Sequence, residues 1–135
     1  MLVEDNILDS DFTQRVLRVN NLDRDLVLAA DGQEAMDSLE RQAKEKRLPD
    51  LILLDINLPD ISGIDLLTRI KGDSRLKRIP VVILTGSNED QDIQKSYDLG
   101  ASSYLVKPIS KDPLMLVIDN LFSPGSQGPR HPEVS

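Results

Sequence analysis

The chain has 135 residues, no cysteine, a single histidine and a formal charge of −7, from 23 acidic and 16 basic residues. Its length suits one domain with one core, and its composition excludes disulfides, thiolate metal sites and multi-histidine zinc sites. The acidic balance, with bases scattered among acids and apolar residues and with only two Phe, two Tyr and no Trp, argues against a nucleic-acid-binding surface.

Strand and helix patterns alternate five times along the chain. Met1-Leu2-Val3 reads as a first strand running into Glu4-Asp5, short for a central strand, as in a chain trimmed at its N-terminus. A helix is expected from about Asp9, with Phe12, Val16 and Val19 inward and acids in its first turn, where the helix dipole favours them. Leu26 to Ala29 reads as a second strand. The next helix opens after Asp31-Gly32, keeps Ala35, Met36, Leu39 and Ala43 on one face, and gives way to Pro49. Leu51-Ile52-Leu53-Leu54 is apolar at every position, as in a strand buried on both faces of a parallel sheet, and Asp55 follows it directly. Ser62-Gly63 opens a third helix with Ile64, Leu67 and Ile70 inward. Pro80 starts a fourth strand, Val81 to Leu84, ending at Thr85-Gly86. A more polar helix runs from about Glu89 to Leu99 and stops at Gly100, a left-handed cap position. Ser103 to Val106 forms a fifth strand ending at Lys107-Pro108. A last helix, from about Asp112 to Phe122, turns Leu114, Val117, Ile118 and Leu121 inward. Such alternation with short links predicts an α/β fold, a doubly wound parallel sheet with helices on both faces. Residues 123–135, SPGSQGPRHPEVS, cannot build a core and read as a disordered tail after a domain spanning 1–122.

The chemistry gathers at strand ends: Glu4 and Asp5, Asp55, Thr85, and Lys107. In a doubly wound sheet these ends share one edge, where ligands bind. Two carboxylates about 4 Å apart repel by roughly 4 kcal/mol at an effective dielectric of ~20, so Glu4, Asp5 and Asp55 together call for protons or a cation. An all-oxygen site with room for water and phosphate suits Mg²⁺. Lys107 adds a fixed positive charge and Thr85 a hydroxyl. With the metal they could neutralise a phosphoryl group passing to Asp55, which needs no base because an ionised carboxylate is already nucleophilic.

The stretches LVEDN (2–6), LILLDINLPDISGIDLL (51–67), IPVVILTGS (79–87) and GASSYLVKP (100–108) closely resemble the response regulator receiver domain, over Met1 to about Phe122. The resemblance implies a flavodoxin-like (βα)5 fold with strand order 2-1-3-4-5, and a phosphoacceptor role in a two-component His-Asp phosphorelay. It also implies roles for individual residues. Asp55 would be phosphorylated and bind Mg²⁺. Asp5 would bind the metal directly, Glu4 mainly through water, and Asn57 through its backbone carbonyl. Thr85 would bond the phosphoryl oxygens, Lys107 would pair with the phosphate through a loop with a cis bond to Pro108, and Tyr104 would switch together with Thr85. Ser103 stands where the family often has Asp. The connection from Leu39 to Pro49 and the run LKRIPVVILTGSNEDQDI further resemble single-domain regulators paired with phytochrome-type histidine kinases.

A Mg²⁺-dependent phosphatase with Asp55 as nucleophile is the alternative. It would want a second Asp two residues on, where Asn57 stands, and a substrate-gating cap for which the chain has no room. A flavodoxin-like FMN module would need a Ser/Thr/Gly-rich loop where Glu4-Asp5-Asn6-Ile7 stands. An inactive docking receiver would lack part of the acid, Thr and Lys set. The expectation is therefore not an enzyme in the turnover sense, but a protein that catalyses only its own phosphorylation and dephosphorylation. Its donor histidine must come from a sensor kinase, because His131 lies in the tail. Met115, Leu116 and Phe122 are surplus apolar residues on the last helix, which points to a homodimer through it. No apolar run approaches the ~20 residues of a membrane span and no basic leader is present, so a cytoplasmic location is expected.

Overall fold

Leu53 and Leu54 lie beside Leu2 and Val3 on one side and beside Val82 and Ile83 on the other, all running the same way. This places the apolar run at the centre of a parallel sheet. The computed structural model describes residues 1–86 and 91–122. In chain order these form β1 (Leu2–Val3), α1 (Ile7–Val19), β2 (Leu28–Ala29), α2 (Gly32–Lys44), β3 (Ile52–Asp55) and α3 (Gly63–Gly72), followed by β4 (Val81–Thr85), α4 (Gln91–Asp98), β5 (Ser103–Val106) and α5 (Lys111–Phe122). The five strands are ordered β2-β1-β3-β4-β5, the doubly wound flavodoxin-like order. Residues 123–135, with His131, and Glu89 lie outside the described residues.

Strand alternation divides the core in two. Leu2, Leu53, Val82, Leu84 and Leu105 face one way, against Leu17 of α1 and Leu114 and Val117 of α5. Val3, Ile52, Leu54, Val81 and Ile83 face the other, against Ala35 and Leu39 of α2 and Ile64, Leu67 and Ile70 of α3. Each inner strand is thus apolar on both faces, because helices cover both.

Three loops on the carboxyl edge of the sheet end in capping side chains. Asn6 Oδ1 accepts from Asp9 N–H, Asp31 Oδ1 from Glu34 N–H and Ser62 Oγ from Asp65 N–H, at 3.0, 2.7 and 3.0 Å. α4 closes in a Schellman motif: Ala101 N–H reaches Ser96 O and Gly100 N–H reaches Tyr97 O, with Gly100 at φ +105°.

Two expectations are corrected. α1 starts at Ile7 and buries Thr13 and Leu17, not Phe12 and Val19. Both stripes repeat at helical spacing, and docking onto β1 and α5 selects the second, leaving Phe12 and Val19 exposed. β2 pairs only through Leu28–Ala29, because Val27 ends the ladder with a single bond from Leu2 N–H. Of the surplus apolar residues on α5, Leu116 and Phe122 face outward as expected, while Met115 is half-buried.

Candidate phosphoacceptor site

The carboxyl ends of β1 and β3 are neighbours, so the acids that follow or end them meet. Glu4 and Asp55 are buried, Asp5 faces solvent, and one carboxylate oxygen from each lies within 4.8 Å of the others. Asp55 divides its two oxygens: Oδ1 accepts from the Asn57 N–H at 3.1 Å, and Oδ2 accepts from the Lys107 ammonium at 3.1 Å. This ties the nucleophile to its own loop on one side and to the opposing cation on the other.

Lys107 is delivered by the β4–β5 ladder. Its N–H bonds Thr85 O at 2.7 Å, which extends the pairing one residue past Val106, and the peptide bond to Pro108 is cis. Its Nζ lies 2.7 Å from Glu4 Oε1, 3.1 Å from Asp55 Oδ2 and 3.2 Å from Asp9 Oδ2. Thr85 is buried at the end of β4, one step beyond Leu84, the partner of Asp55 in the register. Tyr104 is half-buried on β5 and meets Tyr97 of α4 edge to face, with ring centroids 6.2 Å apart.

The loop after Asp55 leaves no space for a side chain at Gly63. Gly63 N–H bonds Ile56 O at 2.8 Å, and a Cβ there would overlap the Asp55 carbonyl and lie 2.7 Å from Ile56 Cα. Asn57 and Ser62 form an antiparallel bridge that pinches the base of the same loop.

The charges are strained in a consistent direction. Burial, reinforced by hydrogen bonding to Asp55, pushes the Glu4 carboxyl up to about 7 despite the pull of Lys107. Burial alone would lower the Lys107 ammonium, but its close pairing with Glu4 and Asp55 outweighs this and holds it above the ordinary lysine range. Glu4 Oε1 has no hydrogen bond of good geometry and meets Lys107 as an ion pair. Three crowded carboxylates, oxygen donors only and one solvent-facing member make a set that fits a hard divalent cation keeping part of its water.

Sequence reading anticipated that Glu4, Asp5, Asp55 and Lys107 would meet. It missed Asp9, taken only as a first-turn acid, which reaches the same ammonium. The signal available was its place three residues after the Asn6 cap, facing back toward the acidic pair.

The family model described as the response regulator receiver domain matches residues 1–119. The chain belongs to that family. This receiver domain is similar to the response regulator Rcp1 of Synechocystis sp., at 39% identity over 125 residues, covering 91% of this chain and 85% of that one. Among solved structures, the bacteriophytochrome response regulator AtBRR matches with a TM-score of 0.78 at 39% identity, covering 89% of each chain. The phosphorylated cyanobacterial phytochrome response regulator RcpA matches with a TM-score of 0.73 at 42% identity, covering 88% of this chain and 89% of that one. A Mn²⁺-bound form of Rcp1 has the same fold, with a TM-score of 0.67 at 37% identity over 88% of this chain and 89% of that one. As a receiver domain the protein is a phosphoacceptor of two-component phosphorelay signalling, and the phosphatase alternative is set aside. Among the described residues, no helix is long and apolar enough to cross a membrane.

Proposed function

We propose that Asp55 is the residue phosphorylated, in a Mg²⁺-dependent transfer from a sensor histidine kinase. The observation that carries this reading is the Lys107 ammonium lying between Asp55 Oδ2 and Glu4 Oε1, on the rim of a three-carboxylate cluster. Asp5, Asp55 and the Asn57 carbonyl would hold the metal, with Glu4 acting mainly through water. Bound there, Mg²⁺ would offset the charge on the phosphoryl oxygens. A carboxylate oxygen of Asp55 forms the new P–O bond while the P–N bond to the donor histidine breaks. The electron pair leaves with the imidazole nitrogen, which takes a proton from solvent. Lys107 pairs with one phosphoryl oxygen, Thr85 donates its hydroxyl to another, and the Thr85 shift draws on Tyr104 through β4 and β5.

Likeness to AtBRR and RcpA supports a phytochrome-type kinase as donor, and the net charge of −7 favours protein–protein contact over nucleic acid as the output, in the cytoplasm. The receiver unit would span 1–122, with 123–135 as a tail outside it. Exposed Leu116 and Phe122 on α5 support a homodimer through that helix.

Incubation with acetyl phosphate and Mg²⁺ should add one acid-stable, base-labile phosphoryl group, seen by intact mass and lost in Asp55→Asn. Labelling that persists in Asp55→Asn, or that is indifferent to EDTA, would refute the assignment.

A further inference from the structure

Asp9 is an acid that none of the foregoing uses. It sits in the first turn of α1, its backbone N–H held by the Asn6 cap at 3.0 Å. At this helix position an acid ordinarily turns back to bond the cap residue's own N–H. Here that N–H is already taken, because Asn6 N–H reaches Glu4 Oε2 at 3.3 Å. The Asp9 carboxylate is left to reach across the cleft, where its Oδ2 lies 3.2 Å from Lys107 Nζ.

An ammonium has three N–H donors, and Lys107 faces three carboxylates: Glu4, Asp55 and Asp9. Two of them belong to the cluster proposed to hold the metal and the phosphoryl group. Once a metal draws on Glu4 and Asp55 becomes an acyl phosphate, neither holds the ammonium as it does here. Asp9 lies outside that cluster and stands on a capped helix turn, so neither event draws on its carboxylate. A lysine stem has four rotatable carbons and a high rotamer entropy, so a fixed third contact narrows where its charge can sit.

We infer that Asp9 is a positioning residue of phosphoryl transfer, holding the Lys107 ammonium over Asp55 while Glu4 and Asp55 are engaged elsewhere. This rests on the assignment of Asp55 as acceptor. The competing expectation is that Asp9, as one more negative charge at the mouth, repels an anionic donor and slows the reaction.

The test is the rate of wild-type phosphorylation by phosphoramidate at saturating Mg²⁺, with Mg²⁺ affinity measured separately. It is compared with Asp9→Asn, Lys107→Ala and the double variant. Asp9→Asn should slow transfer about fivefold, the upper range for a partly exposed ion pair. In the Lys107→Ala background it should have no further effect, and the Lys107 Nζ signal in NMR should broaden or move in Asp9→Asn alone. A rate that is unchanged or raised in Asp9→Asn overturns the inference, as does an equal fractional loss with and without Lys107. Failure of the Asp55 assignment would look different: wild type would take no label, or Asp55→Asn would keep it.

Discussion

The Asp60 carboxylate grips the first turn of α2 at Gly32. Its Oδ1 accepts from Gly32 N–H at 2.8 Å and its Oδ2 from Gln33 N–H at 2.9 Å. These bonds, Gly32's first, hold the Asp60 carboxyl below the usual carboxylate range. They also fasten the tip of the loop that carries Asn57 and leads away from Asp55.

Gly32 is required by this closeness, since a Cβ there would lie 2.6 Å from Ile61 Cγ1. Gly32→Ala should therefore destabilise the protein by about 1–3 kcal/mol, because the loop must shift or Ile61 must leave its rotamer. Asp60→Asn should lower the urea midpoint in the same direction. Because the folded carboxyl is depressed, its contribution is complete above the unfolded value of 3.8 and fades as pH falls below it. An unchanged midpoint in both variants at neutral pH would contradict the grip.

Gly63 offers a sterner test. Its missing side chain faces backbone atoms of Asp55 and Ile56, which cannot rotate away. Gly63→Ala should cost about 3 kcal/mol in urea unfolding and displace the Asp55 carboxylate, so labelling by acetyl phosphate should drop as well. Full labelling in a folded Gly63→Ala protein would show that the loop has more slack than the structure has.

Glu4 sets a pH dependence of definite sign. Its folded carboxyl titrates at about 7 against an ordinary value of 4.5, so between these the folded state binds more protons than the unfolded one. In metal-free protein this part of the stability is complete below pH 4.5 and is lost as pH rises to about 7. Mg²⁺ needs the ionised form, so its affinity should rise over the same window. Glu4→Gln should flatten both trends, measured by urea midpoints in EDTA and by calorimetric Mg²⁺ titration.

Tyr104 and Tyr97 touch edge to face, which links β5 to α4. Moving a switch from 1:99 to 99:1 requires the phosphoryl group to favour the active form by about 5.5 kcal/mol, and Thr85 and Lys107 are the groups able to supply it. Beryllofluoride with Mg²⁺ should shift the NMR signals of Tyr97 and Tyr104 in wild type and much less in Thr85→Ala. Equal shifts in the two proteins would disconnect Thr85 from the aromatic pair.

The proposed α5 dimer is addressed by light scattering. Leu116→Glu and Phe122→Glu should lower the apparent mass at high concentration, and Met115→Glu, on a half-buried side chain, should also reduce stability. A wild type that remains monomeric, phosphorylated or not, would leave these residues to another partner.

Some of this was legible in one dimension. A four-residue run apolar on both faces has to lie inside a covered sheet, so the acid directly after it has to emerge at the sheet's edge; Asp55 needed nothing more. The same logic located Glu4, Asp5, Thr85 and Lys107, because each ends a strand or lies within two residues of its end and parallel strands share one carboxyl edge. Gly100 announced its helix end because a positive φ favours glycine. The inward face of α1 was not legible. Phe12, Val16, Val19 and Thr13, Leu17 both repeat at helical spacing, and hydrophobicity favoured a stripe of which only Val16 packs against the core, while Phe12 and Val19 are exposed.

The sequence by itself determined which residues stand at the ends of strands, since periodicity and turn residues are local and each segment carries its own. Only the tertiary structure decided which of those ends touch. Lys107 and Asp9 are 98 positions apart, and Asp60 and Gly32 are 28 apart. No local pattern encodes such pairs, because they arise from strand order and from the height at which each loop leaves the sheet. That geometry brings Asp9 to the Lys107 ammonium and fastens the Asp55 loop to α2.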